Sequence, residues 1–504
     1  MEMHKKIQIT LFCIGSNFTC IGPRRISAYL KSKGIRTRIV FVTGNSDYSI
    51  SLEGDCKKQL ADMLKKDIAV GISFTSNYLK IAEALTCFIK DALPIPVIWG
   101  GVHATVSPEE SLGICDIACL GEGEEPLLEF IDSLVNLNKS NQIRNLWIKS
   151  GDQIIKNSQR PLMDNLDELP CQDYEIENHF ILKKEKIRQL EISDLKKNFG
   201  FSLTRMMTFG CPFRCAYCAN DRYQSLDMRY SQIRHYSVNY FINETKYILN
   251  KLPFISYLLF DDDAFLGLPQ EVIQEFCEKY KKEIGLPFGI GGIKAEILKK
   301  EKLYMLVDAG LITVRMGIQS GSERVNRQVF KRHFSKEKNI EAAKIFKLFK
   351  NKLRPPFYDI ILDNPWENRA DKLATLELLR ELPRPYFLNV FSLSFFPGTE
   401  LYERALKEGL INAYDPLKQY HKIRKNFLNL LMLYTSILKF PRSFYRRFLD
   451  SKMIKEEKKE YVFFYYIYVF INLFSRLLSY YTNYKFVLAK IRKIGKEITY
   501  GISD

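Results

Sequence analysis

The chain has 504 residues, enough for two or three domains, and a globular composition with ample apolar residues for sizeable cores. Its 75 Lys and Arg against 58 Asp and Glu give a formal net charge of +17. That charge favours anionic partners such as phosphates or an anionic membrane face, although a merely solvated basic surface is the alternative. An early apolar run, IQITLFCIG, is too short for a signal peptide, so we expect a cytoplasmic protein without disulfides.

Residues 1–135 alternate short apolar runs with amphipathic stretches. Strands are predicted at Ile7–Ile14, Thr37–Val42, Ala69–Phe74, Val97–Trp99 and Ile117–Leu120. Helices are predicted between them, for example at Pro23–Lys33, Leu79–Asp91 and Glu124–Leu134. Because strands that alternate with helices form βαβ units, this α/β pattern predicts a Rossmann-like domain with a parallel sheet covered on both faces.

Residues 136–200 lose this rhythm, are polar and are interpreted as a linker with some helix. The alternation returns over residues 201–410. Strands are predicted there at Ser202–Thr208, Tyr257–Phe260, Phe288–Ile293, Thr313–Ile318, Tyr358–Leu362 and Asn389–Ser394. Six strands are fewer than the eight of a closed barrel, so the pattern predicts a partial (βα)6 TIM-like barrel.

Residues 411–504 are basic and aromatic and are predicted to form a helical C-terminal extension. The segment 461–481, YVFFYYIYVFINLFSRLLSYY, has the length of a membrane span, yet Asn472, Arg476 and six tyrosines interrupt its apolar character. An interfacial helix that makes peripheral membrane contact fits this composition better. A helix buried against the barrel and a true span are the alternatives.

Three cysteines cluster after the first predicted barrel strand, in TRMMTFGCPFRCAYCAND. Cys211, Cys215 and Cys218 have the spacing Cys-x3-Cys-x2-Cys. A [4Fe–4S] cluster is ordinarily held by four thiolates, so three ligands leave one iron open for a chelating ligand. The amino and carboxylate groups of S-adenosylmethionine suit that position. Structural zinc is the main alternative, but it normally requires four protein ligands.

This segment resembles the signature of the radical S-adenosylmethionine (SAM) superfamily, including the aromatic Tyr217 before the last cysteine. The resemblance implies that the reduced cluster cleaves SAM to a carbon-centred radical, and that Tyr217 lies against the adenine. The segment LLFDDDAF resembles the Phe-x-Asp-Asp-x-Phe of members with an added cobalamin domain, which implies that Asp262 and Asp263 contact the nucleoside. A surface acidic turn is the alternative.

Other barrel segments carry weaker resemblances. VRMGIQSGSERV is similar to the Gly-Ile-Glu-Ser-Gly stretch of the family, so we expect Gln319 and Ser320 to bind the cofactor, and Gly321 to let the backbone approach a ligand. Lys294 stands where many relatives have an Arg that faces the ligand carboxylate. The turn in FFPGTELYERALKEGLI, residues 395–411, is expected to be structural. Glu367, in the separate segment ILDNPWEN, is given no catalytic task.

Residues 1–135 resemble the cobalamin-binding domain that precedes many radical enzymes, through GISFTSNYLK, PVIWGGVHATV and GEGEEPLLEF. Ser73, Thr75, Gly100 and Gly101 end predicted strands, and we expect them at the edge where a cofactor tail could bind. The Asp-x-His-x-x-Gly turn of methionine-synthase-like domains is replaced by SNFTCIG, so cobalt has no histidine ligand there. His103 lies on a different turn and is a weak candidate for that ligand.

The resemblance therefore implies three cofactors: a [4Fe–4S] cluster, SAM and cobalamin. The leading hypothesis is a cobalamin-dependent methyltransferase acting on an unactivated centre of a small-molecule or lipid substrate, with an electron donor such as flavodoxin or ferredoxin. The alternative is a radical cyclase or oxidative ring-modifying enzyme without methyl transfer. A non-enzymatic membrane-binding or nucleic-acid-binding protein leaves the cysteine triplet unexplained, and we expect no nucleic-acid partner. No side chain is assigned a catalytic role.

Overall fold

The computed structural model describes residues 7–44, 49–136, 141–333, 335–412, 423–441 and 460–477. The chain divides into two compact units. The first unit comprises residues 1–203, 210–255 and 395–420, and the second unit comprises residues 204–209, 256–394 and 421–504.

The elements are numbered along the chain. The strands are β1 Gln8–Ile14, β2 Arg36–Val42, β3 Ala69–Ser73, β4 Val97–Gly100, β5 Ile117–Cys119, β6 Leu146–Ser150, β7 Gln153–Lys156, β8 His179–Lys183, β9 Lys186–Gln189, β10 Ser202–Arg205, β11 Thr208–Phe209, β12 Arg234–His235, β13 Tyr257–Phe260, β14 Phe288–Ile293, β15 Leu311–Gln319, β16 Phe357–Leu362 and β17 Phe387–Ser392. The helices are α1 Ile21–Ser32, α2 Gly54–Leu64, α3 Leu79–Ala92, α4 Gly101–Val106, α5 Pro108–Leu112, α6 Glu124–Val135, α7 Ile192–Phe199, α8 Ala219–Leu226, α9 Val238–Lys251, α10 Gln270–Glu283, α11 Lys300–Ala309, α12 Lys336–Leu348, α13 Arg369–Glu381, α14 Glu400–Lys407 and α15 Phe427–Ile437.

A nine-stranded sheet with the order β7-β6-β5-β4-β3-β1-β2-β8-β9 forms the first unit's centre. Strands β5, β4, β3, β1, β2 and β8 are parallel neighbours. Successive residues of a strand point to opposite faces, so Leu11 and Phe12 of β1 enter different cores. Apolar helices cover both faces, as the predicted βαβ pattern requires.

The stretch expected to be a linker contributes four strands to this sheet. The hairpin β6–β7 extends one edge through antiparallel pairing, and β8 and β9 extend the other. Strands β7 and β9 are short and mostly exposed, with the sequences QIIK and KIRQ. Edge strands like these lack the apolar alternation that marks a buried strand, which explains why the sequence did not reveal them.

The second unit is built on a six-stranded sheet whose order, β10-β13-β14-β15-β16-β17, follows the chain. The pairs from β13 to β17 are parallel. Helices α10, α11, α12 and α13 connect successive strands from β13 to β17. The predicted α/β class and partial barrel are therefore confirmed, with the six strands at or within three residues of their expected ends.

The C-terminal extension is helical in two of its described stretches, α15 and residues 462–477, which we call the aromatic helix. The predicted helical character of 413–422, 442–459 and 478–504 lies outside the described residues. Helix α15 is almost entirely buried and packs against α13 of the second unit. Among the described residues, no helix combines the length and apolar character that crossing a membrane requires.

Candidate functional site

The three clustered cysteines lie on one short loop of the first unit, between β11 and α8. Cys211 and Cys215 are buried, and Cys218 is half-buried. The amide of Cys218 donates to the carbonyl of Cys215 over 2.9 Å, which folds the second half of the loop into a turn. The loop thus gathers three thiols within eight residues on a defined backbone.

Residues on either side of the loop fix its backbone. Gly210 has a φ of +94°, and a β-carbon there would lie 2.2 Å from the carbonyl oxygen of Gln232, so only glycine fits. The amide of Cys211 donates to the carbonyl of Tyr230 over 3.0 Å. The buried amide of Gln224 donates to the carbonyl of Cys211 over 2.6 Å. The roles of Gln224 and Tyr230 could not be predicted from the sequence, because no local motif ties them to the cysteines.

The loop has the donors that an iron–sulfur cluster requires. Cys218 directly precedes α8, and a helix N-terminus stabilises a thiolate. Among the described residues, no group of three or more His, Cys, Asp or Glu side chains is placed to hold a single metal ion. A [4Fe–4S] cluster has a different requirement, because each thiolate bonds an iron of its own. The loop offers three thiols, two of them buried, on a fixed backbone, and this arrangement fits the cluster.

A cavity of about 770 Å³ lies in the first unit at the carboxyl edge of the nine-stranded sheet. Its wall includes Ser73, the last residue of β3, and Thr75, two residues later. Gly101 is also part of the wall. Gly100, the last residue of β4, directly precedes Gly101 and has nothing within 4 Å of the position that a β-carbon would occupy. Ligands of parallel α/β sheets bind at this edge, so the cavity fits a cofactor tail.

Two glycines allow close approaches around this cavity. Gly101 has a φ of +85°, and its β-carbon would lie 2.8 Å from the Ser73 hydroxyl oxygen. Gly121, after β5, has a φ of +76°, and its β-carbon would lie 2.3 Å from the phenol oxygen of Tyr230. Side chains at either position would need backbone strain as well as displacement of these neighbours.

The loop after β1, where the metal-ligating histidine of related domains is missing, lines the cavity with Asn17 and Cys20. His103 is fully buried in α4, stacks on Phe74 with ring centres 5.1 Å apart, and has Nδ1 3.0 Å from the Ser76 hydroxyl. Burial lowers the pKa of His103 to about 4, so the ring is neutral. The burial and packing of His103 are those of a core residue and do not require a role as a metal ligand.

Asp262, at the carboxyl end of β13, is the buried member of the acidic run. Its Oδ1 accepts hydrogen bonds from the amides of Met207 and Thr208, at 2.8 and 2.5 Å, and from the Thr208 hydroxyl. Its Oδ2 is buried without a hydrogen-bond partner among the described residues. Burial raises the pKa of Asp262 to about 7. One oxygen therefore fixes the backbone before the cysteine loop, while the other is available to a ligand hydroxyl.

The remaining predicted SAM contacts of the second unit, to the nucleoside and to the ligand carboxylate, lie at carboxyl ends of its strands. Asp263 and Lys294 are half-buried after β13 and β14. Gln319 ends β15 with a φ of +68°, a strained conformation for a residue with a β-carbon. Tyr217 of the cysteine loop, in the first unit, is also half-buried.

The turn after β15 differs from expectation. A β-carbon on Gly321 would lie 2.4 Å from the Cα of Thr375 in α13, so Gly321 permits helix packing and not the expected approach of a ligand. The Ser320 hydroxyl is buried and lies 3.1 Å from Oε1 of Glu367 and 3.3 Å from the Thr375 hydroxyl. Burial raises the pKa of Glu367 to about 7. Ser320 therefore has protein partners that the sequence did not reveal.

The turn around Gly398 is structural, as predicted. Gly398 has a φ of +74°, and its β-carbon would lie 2.0 Å from the carbonyl oxygen of Val106. The hydroxyl of Thr399 caps α14. This turn also contributes Phe396 and Thr399 to the wall of the cavity.

Comparisons with known families match both units. The B12 binding domain matches residues 7–131, and the Radical SAM superfamily matches residues 206–379. The chain is therefore a radical SAM enzyme with an N-terminal B12-binding domain, which confirms the resemblance found in its motifs. Its cofactors are a [4Fe–4S] cluster, SAM and cobalamin.

Two curated relatives are similar in sequence. The chain is 27% identical to PH0819 of Pyrococcus horikoshii, an uncharacterized methyltransferase, over 70% of this chain and 72% of that protein. It is 23% identical to the anaerobic magnesium-protoporphyrin IX monomethyl ester cyclase of Synechocystis sp. over 52% of this chain and 50% of that protein. The second match thus spans only half of the cyclase.

Two solved structures share the fold. TsrM from Kitasatospora setae, a radical SAM methyltransferase solved with tryptophan substrate and a SAM analog, has a TM-score of 0.62 and 13% identity over 80% of this chain and 76% of its own. OxsB, a cobalamin-dependent radical SAM enzyme solved with aqua-cobalamin, has a TM-score of 0.64 and 16% identity over 99% of this chain and 82% of its own. Identities this low show the fold alone.

Proposed function

We propose that the enzyme is a cobalamin-dependent methyltransferase that acts on an unactivated carbon or phosphorus centre of a small-molecule or lipid substrate. Similarity to the methyltransferase PH0819 supports methyl transfer. The shared fold with TsrM, whose substrate is tryptophan, is consistent with a small-molecule substrate. Fold alone does not define a substrate, so the proposal depends on the site.

The observation that carries the proposal is the position of helix α8 in the first unit. The helix begins directly after Cys218, and its residues Ala219 and Tyr223 form part of the wall of the 770 Å³ cavity. The loop suited to the cluster and the cavity suited to cobalamin therefore adjoin along one helix. This arrangement supports a reaction in which both cofactors take part.

Each group has a proposed task. Cys211, Cys215 and Cys218 hold the cluster, and the Lys294 ammonium faces the carboxylate of SAM. Lys offers a point charge and not the two-pronged contact of Arg, so this clamp is weaker than in relatives with Arg. The buried Oδ2 of Asp262 accepts a hydrogen bond from a ribose hydroxyl.

The remaining tasks concern orientation and the exclusion of water. Tyr217 lies against the adenine, and Gln319 and Asp263 orient the nucleoside. Ser73, Thr75 and the glycines of the sheet edge hold the cobalamin tail. When bound, the reduced cluster supplies the electron that cleaves SAM and cobalamin supplies the methyl group, with electrons delivered by a donor such as flavodoxin or ferredoxin.

The test is anaerobic reconstitution followed by quantification of iron, cobalamin and small-molecule products. Methyl transfer predicts that both S-adenosylhomocysteine and 5′-deoxyadenosine accumulate with a methyl acceptor, and that a deuterated methyl group of SAM appears in the product. Cys211→Ser removes a cluster ligand and should abolish both products and most of the iron. Cys277→Ser removes a buried thiol of α10 outside the loop and is the matched control.

The second candidate is a radical cyclase or oxidative ring-modifying enzyme, favoured by the similarity to the magnesium-protoporphyrin ester cyclase. Such an enzyme would form 5′-deoxyadenosine but no S-adenosylhomocysteine, and its product would carry no methyl group from SAM. Deoxyadenosine alone, in cluster-loaded and cobalamin-loaded protein given substrate, would therefore replace the methyltransferase proposal with this one.

A further inference from the structure

The aromatic helix, residues 462–477, is held to the second unit by one face. Tyr468 is buried with Leu430 and Leu433 of α15, and Tyr465 packs beside this cluster. The hydroxyl of Tyr434 donates to the carbonyl of residue 464 over 2.8 Å. Tyr465 and Tyr468, three residues apart, therefore attach the first half of the helix to α15.

Arg476 fixes the other end of the same face. Its guanidinium donates to the carbonyl of Leu388 in β17 over 3.0 Å. It also lies over the rings of Phe357 and Phe387, 5.1 and 5.4 Å from their centres. The single charge within 461–477 is thus directed toward the barrel, and the rotation of the helix about its own axis is set.

The opposite face is strongly apolar and exposed. Seven of its large side chains are between 52% and 72% exposed: Phe463, Phe464, Tyr466, Phe470, Leu473, Phe474 and Leu477. Single exposed apolar residues are ordinary on protein surfaces, but a row of exposed large apolar side chains along one helix marks an interaction site. The packed tyrosines and the exposed phenylalanines therefore divide the helix into a protein-facing and an outward-facing side.

The sequence on both sides of this helix is basic. Residues 442–459 contain seven Lys and Arg against three Asp and Glu, and residues 478–504 contain five against two. Like charges of this density oppose pairing with a second copy of the chain, and they attract an anionic surface. Basic flanks around an aromatic helix face are the combination that binds anionic lipid headgroups while the apolar side enters the interface.

A basic cleft lies beside the same helix. It has a volume of about 440 Å³, and its wall includes Asn472 and Ser475 of the aromatic helix together with Lys347, Lys350 and Arg354. Ammonium and guanidinium groups bind phosphate oxygens through charge-assisted hydrogen bonds. The cleft therefore places cations beside the protein-facing side of the aromatic helix, and such cations suit the phosphate groups of anionic phospholipids.

We infer that the outward face of the aromatic helix docks this enzyme on an anionic phospholipid bilayer, with the helix lying in the headgroup region. The contact is peripheral, because the inner face of the helix is occupied by α15 and β17. The inference is independent of the methyl-transfer proposal, since it concerns a surface of the second unit and not the cofactors.

The test is flotation of full-length, reconstituted enzyme with vesicles of equal parts phosphatidylglycerol and phosphatidylcholine, and with vesicles of phosphatidylcholine alone. We expect binding to the anionic vesicles only, weakened at about 0.5 M NaCl because salt screens exposed charges. The F463E/F470E double substitution, at positions 72% exposed, should lower the apparent partition coefficient at least about tenfold. The Y304E substitution changes a side chain 63% exposed in α11 and should bind like wild type.

An unchanged melting temperature and iron content would show that F463E/F470E is folded. The inference is overturned if wild-type enzyme does not float with anionic vesicles, or if the double variant floats equally well. The alternative occupant of this face is a second copy of the chain, and light scattering tests for it. If the wild-type enzyme were a dimer and F463E/F470E a monomer, the face would be a dimer interface and the bilayer contact would be overturned.

Discussion

Tyr230 contacts both the sheet edge and the cysteine loop of the first unit. Its phenol lies against Gly121 after β5, where a β-carbon would be 2.3 Å from the phenol oxygen. Its carbonyl accepts the amide hydrogen of Cys211 over 3.0 Å. The edge that lines the cavity and the loop that carries the thiols are therefore joined through one residue.

Replacement of Gly121 tests this link. Gly121→Ala adds a β-carbon that displaces the Tyr230 phenol, and it places alanine at a φ of +76°. We expect a loss of about 2 to 4 kcal/mol in the free energy of unfolding, because overpacking and a left-handed backbone both cost energy. The iron content of the reconstituted enzyme should fall as well. Urea unfolding and iron analysis measure the two effects.

A matched control separates strain from contact. Gly151 has a φ of +60° and nothing within 4 Å of its β-carbon position, so Gly151→Ala carries the backbone cost alone, about 1 kcal/mol. Adding Tyr230→Phe to Gly121→Ala removes the phenol oxygen that lies nearest the new β-carbon. The stability loss of this double variant should therefore fall to that of Gly151→Ala. Equal losses for Gly121→Ala and Gly151→Ala would contradict the link.

The main elements of both sheets could be predicted from sequence because their strands are buried. Strand β13, YLLF, and strand β14, FGIGGI, are apolar runs bounded by polar residues or proline, and both have their expected bounds. Strands β7 and β9 are short, polar and at sheet edges, where burial leaves no pattern. The cysteine spacing was equally local, since three ligands fall within eight residues.

Contacts between distant parts of the chain could not be predicted. The amide of Gly321 donates to the Thr375 hydroxyl, 54 residues away, over 2.8 Å. The sequence showed a glycine after a strand, which is typical of a ligand-binding turn and of close helix packing alike. Only the position of α13 decides between them.

Gly321→Ala tests that packing role. Because the new β-carbon would lie 2.4 Å from the Cα of Thr375, helix α13 must shift, and we expect a loss of about 1 to 3 kcal/mol. Gly22→Ala is the control, since nothing lies within 4 Å of its β-carbon position. Under conditions where both variants are folded, SAM affinity should match wild type. A selective loss of SAM binding without destabilisation would restore a ligand-contact role.

The buried carboxyl of Asp262 should make stability depend on pH. Its pKa is raised by burial from 3.8 to about 7, so the folded protein retains a proton that the unfolded chain releases between these values. The retained proton contributes at most about 4 kcal/mol to the free energy of unfolding. This contribution is fully present below about pH 4 and is lost as the pH rises through about 7. Asp262→Asn keeps an oxygen for the Met207 and Thr208 amides but cannot ionise.

Urea unfolding of the cofactor-free proteins from about pH 5 to about pH 8 measures this effect. Wild type should lose stability more steeply than Asp262→Asn across that range. Glu367, whose pKa is also raised to about 7, is present in both proteins and cancels in the comparison. Parallel curves for the two proteins would show that the Asp262 carboxyl is not held neutral.

Substitution of Thr75 tests whether the sheet-edge cavity holds cobalamin. Thr75 is exposed on the cavity wall, and its hydroxyl donates to Oδ1 of Asn77 over 2.5 Å. Thr75→Phe places a ring in the cavity, so we expect cobalamin affinity to fall about tenfold or more, measured by equilibrium dialysis. The iron content should stay at the wild-type level, because Thr75 makes no contact with the cysteine loop in the described hydrogen bonds. Ser193→Phe adds the same ring at an exposed position of α7 and is the control, which should bind both cofactors like wild type. If Thr75→Phe bound cobalamin with wild-type affinity, the cavity would not be the cobalamin site.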